Sequence, residues 1–272
     1  MVLDLAEYAV DYAGQKGAAY AEARYESLES SSYLMKNGVL EVSDFSRLEG
    51  IGLRVLFKGS MAFSAADKPD KKSIKGAVDR AFRLARSTAD LRKEPITLSS
   101  ADASSGDYKV REKFKLTDVS PEEGIAHLKE VEKALVTGKA KVPTRFLHLS
   151  IESKEKVLVT SEGTEITSTL PQVSFYYMIT VAAAGKGSAQ RSFSYSKTSG
   201  WEAVSEWALP TVLESEAGAL AENLRKGRRA PKQKLDVITG SEIVGIAVHE
   251  SVGHPYEADR ILGREAAQAG ES

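Results

Sequence analysis

The chain has 272 residues, 42% of them hydrophobic, and its 37 basic side chains nearly cancel 38 acidic ones to leave a formal charge of −1. That balance supplies a core, excludes a disordered and highly charged chain, and gives no general attraction to nucleic acid or anionic membrane. No apolar run of about 18 residues could span a bilayer, and no basic-then-apolar leader opens the chain, so the cytoplasm is the expected compartment. Zero cysteines remove disulfides and thiolate ligands from these residues.

Val2, Leu5, Ala6, Val10 and Ala13 recur at helical spacing before Gly14 and Gly17 stop the pattern. From Ala18 the period becomes two, and Asn37-Gly38 between two such runs predicts a tight hairpin, because a type I′ turn needs positive φ at both central positions. Residues 73–87 return to helical spacing, and 95–113, with Pro95 and Gly106, read as a long connection. Ser120-Pro121-Glu122-Glu123 is a helix start with a capping box, and that helix runs to about Gly138. Pro143 to about Ser194 alternates as an antiparallel meander punctuated by Gly163, Pro171 and Gly185–Gly187. A helix from about Ala203, interrupted at Pro210, ends near Lys226. Two helix-then-strands blocks therefore follow one another without a residue-level repeat. The predicted fold class is α+β, with antiparallel sheets packed on helices over residues 1–230.

Arg225, Lys226, Arg228, Arg229, Lys232 and Lys234 fall in one short run with Gly227 and Pro231. This reads as a solvated linker, since a polyanion strip needs more supporting positive surface. Beyond it, Leu235–Ile238 is predicted as a short strand, and Thr239-Gly240-Ser241-Glu242 as a capping box opening an apolar helix. That helix carries His249-Glu250-Ser251-Val252-Gly253-His254, two of the chain's four histidines flanking a glutamate. Zinc-binding helices usually space two histidines four apart on one face, with the glutamate as base. A spacing of five rotates them about 140° in a straight α-helix. Either a π-bulge absorbs the extra residue, with Pro255 losing little as the ladder breaks, or the helix ends at Gly253 and His254 reaches back from the turn. The plainer reading is a buried helix whose imidazoles are satisfied by backbone carbonyls. His127 and His148 are expected to be structural.

The longer string, His249 through Pro255-Tyr256-Glu257-Ala258-Asp259, resembles the signature of the TldD/PmbA peptidases, once called modulators of DNA gyrase. Gly17-Ala18-Ala19-Tyr20-Ala21-Glu22, Lys36-Asn37-Gly38 and Gly50-Ile51-Gly52-Leu53-Arg54-Val55-Leu56 resemble that family's opening segment in order and spacing. The resemblance implies a TldD-like, motif-bearing metallopeptidase subunit that acts on peptides or unfolded polypeptide. It would work as a homo-oligomer or with a homologous, motif-less PmbA-like subunit. His249 and His254 would be metal ligands, Glu250 the base that activates metal-bound water, and the ion zinc or another divalent metal such as iron. Glu257 and Asp259 would support the ligands from a second layer, with direct ligation by Glu257 the alternative. The family's third ligand is a cysteine from its C-terminal half, which this chain lacks. Residues 231–272 would be the incomplete beginning of the metallopeptidase domain, the chain being C-terminally truncated and weak in metal retention by itself. The alternative is an inactive peptide-docking or oligomerisation module with a vestigial motif.

Overall fold

The computed structural model describes residues 2–262. The stretch 263–272, expected to continue a second domain, lies outside the described residues. The chain divides into two units after Gly227.

The first unit repeats one order of elements twice. Its first half runs α1 (Val2–Gln15), β1 (Tyr20–Lys36), β2 (Val39–Phe57), β3 (Ser60–Ala66) and α2 (Lys71–Thr88). Its second half runs α3 (Pro121–Thr137), β5 (Thr144–Thr160), β6 (Glu165–Ala183), β7 (Gly187–Lys197), α4 (Glu202–Glu206) and α5 (Leu209–Lys226). The short β4 (Ser105–Lys109) lies in the connection. All seven strands join one sheet in the order β3-β2-β1-β5-β6, with β6 flanked on its far side by both β4 and β7. The halves meet where β1 pairs antiparallel with β5, from Glu22 opposite Thr160 to Lys36 opposite Phe146.

Alternation decides which face carries the helices. In β1 and β5 the buried apolar residues are odd-numbered: Ala21, Ala23, Tyr25, Tyr33 and Met35 on one, Leu147, Leu149, Ile151, Val157 and Val159 on the other. Both helical layers therefore cover one face. α1 and α2 bring Ala6, Ala9, Ala13, Ala77, Ala81 and Ala85 to that face, small side chains that let helix backbones approach closely. α3 and α5 bring Leu128, Val131, Leu135 and Leu213 onto Phe175, Tyr177 and Ile179. Truncating a fully buried leucine such as Leu128 to alanine costs about 2–5 kcal/mol at sites of this kind. The opposite face is open and serine-rich, with Ser30 on Ser46 and Ser32 on His148 Nε2, each at 2.8 Å.

Local chemistry fixes the boundaries. Asn37 and Gly38 take φ 50° and 81°, as the hairpin turn requires. Ser120 accepts from the Glu123 N–H while the Glu123 carboxylate accepts from the Ser120 N–H, completing the capping box. Three expectations need correction. The 95–113 connection contains β4, which pairs parallel with β6, an exception to the antiparallel rule. Pro171 lies inside β6 opposite Ser153, between the end of β4's pairing at Thr169 and the start of β7's at Val173. A residue lacking an N–H is tolerated where a strand changes neighbours. The C-terminal helical stretch breaks at left-handed Ala208, and Pro210 sits harmlessly in the first turn of α5.

A bulge at Glu41 shifts the β1–β2 register, so Leu34 faces Val42 while Met35 faces Leu40. On its outer side β2 pairs with β3 only from Ile51 to Phe57.

The second unit contains α6 (Ser241–Val248), a π-helical turn (His249–Gly253) and α7 (Ala258–Ile261). Leu235–Ile238 is not a strand; among the described residues of this unit there is no strand to bond with it. Gly240, not Thr239, occupies the cap position of α6 and no side chain caps the helix. The expected burial of α6 is also absent: Ile243, Val244, Ile246 and Val248 are exposed. The π turn and the single-turn α7 supply no apolar layer for them.

Candidate metal centre

The geometry starts from the backbone. The His254 N–H donates to the His249 carbonyl at 3.1 Å, a five-residue step in place of the α-helical four. His254 itself keeps helical angles, φ −66° and ψ −45°, so the helix does not end at Gly253. The wider turn returns both imidazoles to one face, with ring centroids 4.4 Å apart and the planes edge to face. One donor atom each from His249, Glu250 and His254 lie within 4.8 Å of one another. His249 and Glu250 are exposed and His254 is half-buried. His249 and Glu250 also line an open depression of about 550 Å³ with Ile243 and Ile246.

The other carboxylates divide sharply. Glu257 Oε1 stands 2.6 Å from His254 Nδ1. A carboxylate can only accept, so this contact calls for a proton on Nδ1, and in the neutral ring that tautomer leaves Nε2, 3.9 Å from Glu250 Oε2, as the nitrogen able to hold a metal. The hydrogen bond from His254 holds the Glu257 carboxyl below the ordinary carboxylate range, and Arg260, its Nε 3.2 Å from Oε2, adds to the effect. Asp259 instead accepts from the Arg260 backbone N–H at 2.9 Å. Arg260 was not singled out by the sequence reading; its signal was the three-residue step from Glu257 on a helical turn. His127 and His148 belong to the first unit. His127 stacks edge-on against Phe175 and Trp201, and burial lowers the pKa of both rings.

This donor set fits a divalent transition metal: two imidazoles, one with its remaining nitrogen freed by a carboxylate, and a third oxygen donor or base beside them.

Residues 21–85 match the family model for PmbA/TldA metallopeptidase domain 1, and residues 114–225 match that for the PmbA/TldA metallopeptidase central domain. The chain belongs to the PmbA/TldD metallopeptidase family. The histidine string lies beyond both matched ranges. Among curated relatives, Metalloprotease MJ0996 of Methanocaldococcus jannaschii is 26% identical over 247 residues, which is 91% of this chain and 53% of that protein. A metalloprotease of Methanothermobacter thermautotrophicus is 28% identical over 243 residues, 89% of this chain and 51% of its own length. The chain thus spans about half the length of the curated relatives it matches. The crystal structure of TldE from Thermococcus kodakarensis superposes with a TM-score of 0.63 at 11% identity, covering 81% of this chain and 47% of that one. At that identity the likeness is one of fold. Among the described residues no helix is long and apolar enough to cross a membrane.

Proposed function

We propose that this PmbA/TldD chain supplies the metal-holding helix of a cytoplasmic zinc-dependent peptidase that hydrolyses peptide bonds of unfolded polypeptide. The observation that carries the reading is the convergence of His249, Glu250 and His254 across a π-helical turn. His249 and His254 would hold the ion, which when bound polarises a scissile carbonyl and lowers the pKa of water. Glu250 acts as the general base, taking a proton from the attacking water and passing it to the departing amine. Glu257 is a positioning residue: it orients His254 through Nδ1 and is itself steadied by Arg260. Asp259, turned to a backbone N–H, has no part in this arrangement.

Catalytic zinc sites normally take three protein ligands plus an open position. With Glu250 serving as base and Glu257 engaged by His254 and Arg260, the third ligand comes from polypeptide outside these residues. A homologous, motif-less subunit would help enclose the site. The test is a cobalt or zinc titration of the chain, with and without the C-terminal half of a family member, alongside a peptide-cleavage assay. Glu250→Gln should keep the metal and abolish cleavage, while His249→Ala or His254→Ala should lose both. Wild-type turnover by the Glu250→Gln protein would overturn the mechanism.

A further inference from the structure

The two halves of the first unit differ in what covers the outer side of their second long strand. In the second half, the outer side of β6 is occupied from Glu165 to Thr169 by β4, an extended piece of the connection lying parallel to it, end to end with β7. The corresponding stretch of β2, ahead of its pairing with β3, has no neighbour among the described residues. Below the bulge at Glu41 this bare edge runs from Val42 to Gly50. Its unpaired backbone groups form a template for one more strand.

Beside that edge, on the face that carries the helices, is a cavity of about 350 Å³. Tyr33, Phe45, Leu116 and Ile151 give it apolar walls, and Ser31 and Ser43 a low floor. Phe45 is 65% exposed, a large apolar surface that nothing in the unit covers. A bulky side chain from a strand laid along β2 reaches the cavity over Ser43. The charge of the edge selects the occupant. Within Val42–Gly50, Asp44 and Glu49 stand against Arg47 alone, with Glu41 adjoining in the bulge, and Arg47 already bridges Glu29 at 3.2 Å and Glu49 at 3.7 Å. Two copies of such an edge repel one another, which disfavours self-pairing and favours a basic partner.

We propose that Val42–Gly50 is a strand-addition site for an extended, basic polypeptide segment, seated as β4 is seated on β6, with an apolar side chain in the adjoining cavity. Main-chain hydrogen bonds supply affinity and the cavity supplies selectivity. The site is built from residues of the first unit.

The test uses the full chain and a short acetylated peptide with a central phenylalanine flanked by lysine and threonine, followed by fluorescence anisotropy. Saturable binding is expected. The same peptide N-methylated at alternate amides should bind about tenfold more weakly or worse, the equivalent of losing one or two backbone hydrogen bonds. Asp44→Lys should weaken binding several-fold, and Ser31→Trp, which fills the cavity, should do likewise, with circular dichroism confirming that each variant is folded. His249→Ala and chelator should change nothing, which separates failure here from failure of the metal reading. Equal binding of the N-methylated peptide, indifference to both edge substitutions, dependence on His249, or self-association through this edge in light scattering would each overturn the proposal.

Discussion

The N–H of His254 reaches the carbonyl of His249 across five residues, and that single hydrogen bond puts two imidazoles side by side that an α-helix would hold about 140° apart. Spacing and backbone are therefore matched, and changing either one alone should separate the rings. Inserting one alanine after Ser251 should carry His254 off the shared face and reduce cobalt affinity at least about tenfold. Deleting Val252 should restore the ordinary α-helical spacing of four and retain binding. Cobalt absorption titrations of the two proteins check both outcomes.

Glu257→Gln keeps the size of the side chain but lets an amide replace the carboxylate that fixes the His254 proton on Nδ1. Loss of such a supporting partner typically costs about 10–100-fold in metal affinity. The corresponding amide at Asp259, Asp259→Asn, should leave affinity unchanged, because among the described residues its carboxylate accepts from the Arg260 backbone N–H and not from an imidazole. Competition with a chromogenic chelator measures the two side by side.

Glu202 ties two loops together. Its carboxylate accepts from the N–H groups of Lys113, Phe114 and Gly200 and from the Ser199 hydroxyl. Burial raises its pKa, but these donors prevail and bring it from 4.5 down to about 2. A depressed folded-state value means the stabilisation is complete above pH 4.5 and disappears as pH falls toward 2. Glu202→Ala should cost about 1–3 kcal/mol at neutral pH. The gap between variant and wild type in urea denaturation should narrow across that acid window.

Two helix glycines should respond oppositely to alanine. A Cβ at Gly218 in α5 meets nothing within 4 Å, so Gly218→Ala should stabilise by about 0.5–1 kcal/mol through helix propensity. At Gly124 in α3 the added carbon would stand 2.8 Å from Cε2 of the buried Tyr33 ring. There the overpacking, about 1–3 kcal/mol, should outweigh the propensity gain. Thermal unfolding of both variants gives the signs directly.

The features legible in the sequence were those set by neighbouring residues. Asn37-Gly38 specified its turn, Ser120 and Glu123 their capping box, and the helical and alternating periods the two blocks of elements. The histidine spacing, with Pro255 following, left two ways to bring the rings together, a π-bulge or a helix ending at Gly253, and the backbone takes the first. Features set by distant partners were hidden. Nothing in Ser105–Lys109 announces that it lies parallel to Glu165–Thr169. Leu235–Ile238 has the composition of a strand but no strand to pair with among the described residues of its unit, and Thr239 has the chemistry of a cap one residue before the position that Gly240 fills. The Glu257–His254 contact was foreseeable from a three-residue helical step, whereas Asp259, two residues on, turned the other way.

The seam between β1 and β5 has a consequence for how the chain acquires its structure during synthesis. Tyr20–Lys36 leaves the ribosome long before Thr144–Thr160, yet the two lie side by side at the centre of the sheet. Until the later strand arrives, the earlier block must wait with one flank of β1 unsatisfied. Contacts of such large sequence separation slow folding, because loop-closure entropy is met before the pairing rewards it. The nascent first half is thus the stage at which this protein depends most on protection from association with other chains.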